Sequence, residues 1–248
     1  VTELRVGVAG ALGRLGRVAC SAIENAAGMR LAAAFARRAG VPAGDRVATD
    51  DDVPAFLTRG LDVVVDCTLY PTTVEITRAA VEAGIPVVVG ATGWRDGEGV
   101  ALDDLCRERG VPAMLIPNFS IGAMLMMRFA EQAARVLPHS EIIELHHDTK
   151  RDAPSGTARL TAERIRDTGV PLPPIHSIRL PGFVAHQEVI FGGSGERLTI
   201  RHDTVSREAY GPGIIAAVRR VSSFAPGVTV GLDAVFDGHP IGEVQARP

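Results

Sequence analysis

Two hydrophobic rhythms divide the chain near residue 117. Before that point, short apolar runs alternate with amphipathic stretches. Val6-Gly7-Val8-Ala9 reads as a buried strand and leads into a glycine-rich turn. Arg14 to Asn25 then places Leu15, Val18, Ala19, Ala22 and Ile23 on one helical face. Leu31 to Phe35 is a second strand, followed by a polar stretch with glycine and proline from Arg37 to Asp52. Val63 to Val65 is a third strand, ending in Asp66, Cys67 and Thr68, and Thr72 to Ala83 is a helix stopped by Gly84 and Pro86. Val87 to Val89 is the fourth strand, Leu102 to Arg109 a helix, and Ala113 to Ile116 the fifth strand. Strands that are apolar throughout, separated by helices, require a parallel sheet covered on both faces. The expectation is an α/β, Rossmann-type doubly wound fold.

The second half has a different rhythm. A long amphipathic helix runs from about Ile121 to Leu137, and a strand from Glu141 to Leu145 enters a polar cluster, His146 to Gly156. A helix over Thr157 to Arg166 precedes three strand-like runs, Ile175 to Leu180, Val184 to Phe191 and Leu198 to Asp203. Strands without intervening helices predict an open, mostly antiparallel or mixed sheet, and hence a second α+β domain. Val184 to Phe191 reads as an apolar edge that needs cover. A helix from about Ile214 to Val221 closes this half. The composition change at Pro117-Asn118 sets the expected boundaries: residues 1–117 and 208–248 for dinucleotide binding, 118–207 for substrate binding and oligomerisation.

Composition adds constraints. The chain has 248 residues, 46% of them hydrophobic, which is material enough for one large core or two smaller ones. A formal net charge of −3 gives no global attraction to nucleic acid. Cys20, Cys67 and Cys106 lie far apart with no CxxC pair, so neither a disulfide framework nor a thiolate zinc site is expected. No apolar run approaches the roughly 20 residues that span a bilayer. Val1 to Arg5 lacks the basic-then-apolar pattern of a signal peptide, so the expected location is cytoplasmic.

The turn after the first strand, Gly10-Ala11-Leu12-Gly13-Arg14-Leu15-Gly16, spaces its glycines G-x-x-G-x-x-G. A tight turn that aims helix N–H groups at an anion suits a pyrophosphate. At the end of the second strand, Phe35-Ala36-Arg37-Arg38 replaces the acidic residue that usually holds a ribose diol. Two arginines there match a 2′-phosphate, so NADPH is the expected cofactor, with NADH a second possibility. Solvated loop arginines are the alternative. Gly90-Ala91-Thr92-Gly93 and Pro117-Asn118-Phe119 end the fourth and fifth strands at the carboxyl edge of the sheet, where ligands bind in open α/β folds.

Chemistry concentrates in Glu144-Leu145-His146-His147-Asp148-Thr149-Lys150-Arg151-Asp152-Ala153-Pro154-Ser155-Gly156-Thr157. Histidine exchanges protons near neutral pH, and lysine binds a carboxylate or supplies a proton. Pro154 to Thr157 opens a helix whose N–H groups form an anion site. A polar surface loop with a helix cap is one alternative. A metal site is a weaker one, because adjacent histidines on a strand face opposite ways and no cysteine lies near; no metal is expected.

That segment resembles the signature of the dihydrodipicolinate reductase family, E-x-H-H-x-x-K-x-D-A-P-S-G-T, without a gap. Val8 to Gly16, Asp66 to Thr68, Gly90 to Gly93, Pro117 to Gly122, Leu180 to Gly192 and Leu198 to Asp203 are also similar to the family. The resemblance implies NAD(P)H-dependent reduction of 4-hydroxy-tetrahydrodipicolinate, a small cyclic imine dicarboxylate, in lysine and diaminopimelate biosynthesis. It implies His146 and Lys150 as catalytic groups, with His147, Ser155, Gly156, Thr157 and Arg207 binding substrate. Gly10, Ala11, Leu12, Gly13, Arg14, Leu15, Arg37, Gly90, Ala91, Thr92, Ile116, Pro117, Asn118 and Phe119 would bind cofactor. A homotetramer built on the open sheet is implied as well.

The chain departs from the family pattern in three places. Ala91 replaces a threonine of G-T-T-G, Cys67 stands inside the D-F-T motif, and Arg166 to Pro174 is a short crossing where relatives often carry a longer loop. The short loop leaves open a related reductase acting on another cyclic imine acid. A non-catalytic NADPH-binding sensor is the alternative from a different class. Cys67 reads as a buried strand-end thiol rather than a nucleophile.

Overall fold

The computed structural model describes residues 3–45, 47–95 and 97–237. What was expected of residues 238–248 falls outside them. In chain order the strands are β1 (Leu4–Ala9), β2 (Met29–Phe35), β3 (Thr49–Asp50), β4 (Val63–Asp66), β5 (Val87–Val89), β6 (Pro112–Leu115), β7 (His139–His146), β8 (Ile175–Arg179), β9 (Ala185–Gly193), β10 (Glu196–Thr204) and β11 (Gly227–Val230). The helices are α1 (Arg14–Glu24), α2 (Val53–Leu57), α3 (Thr72–Glu82), α4 (Glu98–Arg109), α5 (Ile121–Ala134), α6 (Gly156–Arg166), α7 (Gly211–Arg220) and α8 (Asp233–Phe236). The chain forms two compact units, one built from the segment up to Phe119 and from Tyr210 onward, the other from Ser120–Ala209.

The first unit holds a seven-stranded sheet in the order β11-β6-β5-β4-β1-β2-β3, parallel throughout. From β3 to β6 this is the doubly wound order, and the strand sequence reverses between β1 and β4. The central strands are apolar because both faces are covered: Val63, Val64, Val65, Val87, Val88 and Val89 have no exposed surface. Phe56, Ile76, Val81 and Leu102 pack on one side of them. Each such side chain contributes about 1.5–3 kcal/mol by leaving water. Two strands go beyond the five expected. β3 lies within the polar 37–52 stretch and is two residues long, and β11 follows β6 in register from Gly227↔Pro112 to Val230↔Leu115. Neither carries enough alternation to announce itself; each exists by pairing with a neighbour. Helix α4 starts before the expected Leu102, where the Glu98 carboxylate accepts the Arg95 N–H at 2.7 Å.

The second unit is a four-stranded mixed sheet, order β10-β9-β7-β8, in which β7–β8 is parallel and the other pairs antiparallel. Helices α5 and α6 cover one face, where Met126, Met127, Ala130, Ile165, Ile142, Val189 and Phe191 form the core. Strand alternation sends Ile143, Leu145, Ile178 and Ile190 to the opposite face. One expectation is corrected here. The 184–191 run is not an edge: β9 is paired on both sides, by β10 and β7, and the edges are β10 and β8. Its apolar residues Val189 and Phe191 are covered by the unit's own core.

Candidate active site

In the first unit, the Gly10 turn is shaped by backbone contact. Gly10 has φ +74°, and a Cβ there would lie 2.7 Å from the Cys67 carbonyl oxygen. A Cβ on Gly16 would lie 2.1 Å from the Gly10 carbonyl oxygen. Both positions therefore need glycine, and the turn closes directly onto α1. That helix has no side-chain cap at Gly13 and no acidic residue in its first turn. Its first N–H groups are left for an anion. Gly13 and Arg14 are exposed, Leu12 and Leu15 half-buried, and Ala11 buried.

Across the switch point, Asp66 ends β4 with no exposed surface. Its carboxylate accepts the Thr68 N–H at 2.8 Å, the Thr68 hydroxyl at 2.6 Å and the Thr73 hydroxyl at 2.6 Å. Burial raises its pKa, and the threonine hydrogen bonds oppose that rise. The backbone of Cys67 and Thr68, against which Gly10 rests, is thereby fixed. Burial, with the charge of Asp66 beside it, pushes the Cys67 thiol well above its usual pKa, away from the thiolate a nucleophile needs.

The other carboxyl-edge loops are tightly packed. A Cβ on Gly90 would meet the Phe119 ring at 2.7 Å and Leu15 at 3.0 Å. Ala91, Ile116 and Phe119 are buried, Asn118 is half-buried, and Thr92 and Pro117 are exposed. Arg37 and Arg38 follow β2 and are exposed. The carboxylate next to that edge, Asp50, is engaged by Arg59 at 2.7 Å.

The second unit assembles the polar cluster at the end of β7. His146 is the last residue of the strand, its side chain 14% exposed. Its Nδ1 lies 2.5 Å from Glu144 Oε2. Glu144 is fully buried; Arg179, on the parallel neighbour β8, donates to its two oxygens at 2.9 and 2.7 Å. The Ser155 N–H reaches Glu144 Oε1 at 3.2 Å. Burial works to raise the Glu144 pKa, but hydrogen bonds from Arg179, Ser177 and His146 outweigh it and hold the carboxyl below its usual range. Burial lowers the His146 pKa; the Glu144 hydrogen bond and charge resist, and the charges of Lys150 and Arg179 add to the lowering.

The remaining expected residues, Arg207 excepted, follow β7 in the same stretch of chain. Lys150 Nζ is held by both oxygens of Asp152, at 2.8 and 2.9 Å. His147 Nδ1 is 2.7 Å from the Thr149 hydroxyl. Ser155 is the N-cap of α6, its Oγ accepting the Ala158 N–H at 3.1 Å, and it is buried. A Cβ on Gly156 would meet nothing within 4 Å, so space is open in front of this eleven-residue helix. Thr157 is half-buried in its first turn. Arg207 lies apart in sequence, exposed on the 3-10 turn Arg207–Tyr210. Among the described residues no three His, Cys, Asp or Glu side chains are placed to hold a metal ion.

Sequence reading assigned no task to Glu144, Arg179 or Asp152. The Glu144-x-His146 spacing did carry a signal, since residues two apart on a strand share a face. Arg179 carried none, because it reaches His146 only through the β7–β8 register.

A reversed-order parallel sheet with an open glycine turn, joined to a unit bearing a histidine–lysine cluster, defines a Rossmann-type oxidoreductase. The comparisons name it more closely. Residues 4–119 match the family described as dihydrodipicolinate reductase, N-terminus, and residues 122–236 match dihydrodipicolinate reductase, C-terminus. The chain belongs to the dihydrodipicolinate reductase family. It is 46% identical over 233 residues to the 4-hydroxy-tetrahydrodipicolinate reductase of Symbiobacterium thermophilum, covering 88% of this chain and 92% of that one. It is 40% identical over 266 residues to the enzyme of the same name from Moorella thermoacetica, covering 96% and 99%. Among solved structures it is similar to dipicolinate-bound dihydrodipicolinate reductase from Paenisporosarcina sp. TG-14, with TM-score 0.83, 31% identity and coverage of 94% and 99%. An amine dehydrogenase from Mycobacterium smegmatis shares the fold at 14% identity and TM-score 0.65. Among the described residues no helix is long and apolar enough to cross a membrane.

Proposed function

We propose that this protein reduces 4-hydroxy-tetrahydrodipicolinate to tetrahydrodipicolinate with NADPH, releasing water, in lysine and diaminopimelate biosynthesis. The observation that carries this reading is the intact His146–Glu144–Arg179 and Lys150–Asp152 constellation beside an open helix N-terminus, in a chain of this family. A nicotinamide cofactor, when bound, supplies the hydride. The Gly10–Leu15 backbone and the start of α1 would hold its pyrophosphate. Gly90, Ala91, Thr92 and Ile116 to Phe119 would line it, the buried Ile116 and Phe119 through their backbone. Arg37, with Arg38, would pair with a 2′-phosphate, which supports NADPH over NADH.

On the substrate side, two carboxylates need cationic and N–H partners. His147, Ser155, Gly156, Thr157 and Arg207 would supply them, with the α6 N-terminus as the anion site. Hydride addition to a conjugated imine leaves negative charge that takes a proton, and His146 and Lys150 would deliver it. The apolar patch Ile143, Leu145, Ile178 and Ile190 on the uncovered sheet face supports assembly as a homotetramer; sedimentation as a monomer would exclude this. The likeness to biosynthetic reductases supports placing it in the cytoplasm, with neither nucleic acid nor a membrane as its partner.

The test is steady-state oxidation of NADPH with freshly made substrate, beside other cyclic imine acids. Turnover of 4-hydroxy-tetrahydrodipicolinate at the highest kcat/KM supports the reading. A better rate with another cyclic imine would move the substrate, and binding of NADPH without turnover of any imine would make the chain a sensor.

A further inference from the structure

We propose that Glu144 is the positioning residue of the proton donor: locked by Arg179, it fixes His146 in the tautomer protonated on Nδ1 and leaves Nε2 as the atom that exchanges the proton. This rests on the functional reading above only in taking His146 as the proton donor.

The geometry leaves one arrangement. An ionised carboxylate has no proton to give, so the 2.5 Å contact requires Nδ1–H to donate to Glu144 Oε2. Glu144 cannot turn away, because Arg179 bonds both its oxygens and Ser155 N–H bonds Oε1. Arg179 is itself tied to the Ile178 and Asp152 carbonyl oxygens, each at 2.8 Å. Nε2 has no hydrogen-bond partner among the described residues. A buried ion pair is a poor source of stability, since desolvation offsets much of its attraction and apolar replacements are often as stable. Orienting the histidine gives the pair a task that packing does not.

The charged groups facing His146 are Glu144 on its own strand, Lys150 in the following loop and Arg179 on β8. Only Glu144 is anionic. Removing that charge leaves two cations beside the ring, so His146 must protonate at lower pH than in the wild type.

The experiment uses the full-length protein, labelled with ¹⁵N-histidine, in wild-type and Glu144→Gln forms, with His146→Gln to assign the resonance. Imidazole ¹⁵N shifts report the tautomer, and a pH titration reports the His146 midpoint, without any turnover. The expected result is an Nδ1–H tautomer in the wild type. In Glu144→Gln the tautomers mix, the midpoint falls, the alkaline limb of the kcat profile, where the donor loses its proton, moves to lower pH with it, and kcat drops about tenfold or more with NADPH affinity unchanged. An Nε2–H tautomer in the wild type overturns the proposal, and this spectrum decides even if the variant fails to fold. Unchanged tautomer and midpoint in a folded Glu144→Gln also overturn it. A wild type with the Nδ1–H tautomer that does not reduce the imine supports the positioning role and sinks the substrate assignment instead.

Discussion

Lys150 Nζ lies within hydrogen-bond reach of both carboxylate oxygens of Asp152, two residues further along the chain. The Asp152 carboxylate is half exposed, and the lysine side chain is 21% exposed. The lysine hydrogen bond holds the Asp152 pKa below its usual value. A pair this open is worth about 0–1 kcal/mol, so a substrate carboxylate can take the lysine from it at little cost. Asp152→Asn removes the competitor. The expected result is a KM for the substrate lowered by up to about fivefold, the equivalent of ~1 kcal/mol, with kcat little changed. A raised KM would instead make Asp152 the group that aims the lysine.

Ser155 and Thr157 divide the labour at the start of α6. Ser155 accepts the cap hydrogen bond with its oxygen and keeps only its hydroxyl proton for a substrate, and Thr157 follows in the first turn. Ser155→Ala is expected to destabilise the protein by about 1 kcal/mol, read as a lower urea midpoint. Thr157→Val is expected to raise the substrate KM by a larger factor than Ser155→Ala does. The reverse pattern would exchange their roles.

Asp66 gives a pH-dependent prediction. Its folded pKa is raised by burial, so the folded state holds the proton more tightly than the unfolded chain. Its contribution to stability is therefore greatest at low pH and is lost as pH rises through the folded pKa. Thr73→Val removes a hydroxyl donor to the ionised form. The variant should be less stable by about 1–3 kcal/mol at neutral pH, and the deficit should shrink at acid pH where Asp66 is protonated. Urea unfolding at the two pH values checks this; an equal deficit at both would show that Asp66 is already neutral in the wild type.

Cofactor choice turns on two exposed arginines after β2. Arg37→Ala with Arg38→Ala is expected to raise the KM for NADPH about tenfold or more, the scale of a lost charge-assisted contact of ~1.5–3 kcal/mol, and to leave that for NADH close to the wild type. Equal catalytic efficiency of the wild type with both cofactors would remove the preference.

The parallel sheet was legible because its strands are apolar end to end, as Val63 to Val65 and Val87 to Val89 show, and such runs need cover on both faces. Strands β3 and β11 were not, since two or four residues carry no period and their existence depends on partners distant in sequence. The 184–191 run was readable as a strand, but which strand lies at an edge is decided by pairing partners, which local pattern does not encode. At the site, the residue types from Glu144 to Thr157 were visible as chemistry. The bond from His146 to Glu144 was available in the i, i+2 spacing, whereas the role of Arg179 comes from register alone. Buried carboxylates such as Glu144 and Asp66 look like surface residues in a sequence; only the folded environment shows their partners.

The most direct test of the account is kcat for NADPH oxidation with 4-hydroxy-tetrahydrodipicolinate in the wild type, His146→Ala and Lys150→Ala, alongside NADPH affinity. The account predicts turnover in the wild type and a loss of about a hundredfold or more in each variant, the scale of a missing acid catalyst, with NADPH bound as tightly as before. Turnover at the wild-type rate in His146→Ala would contradict it.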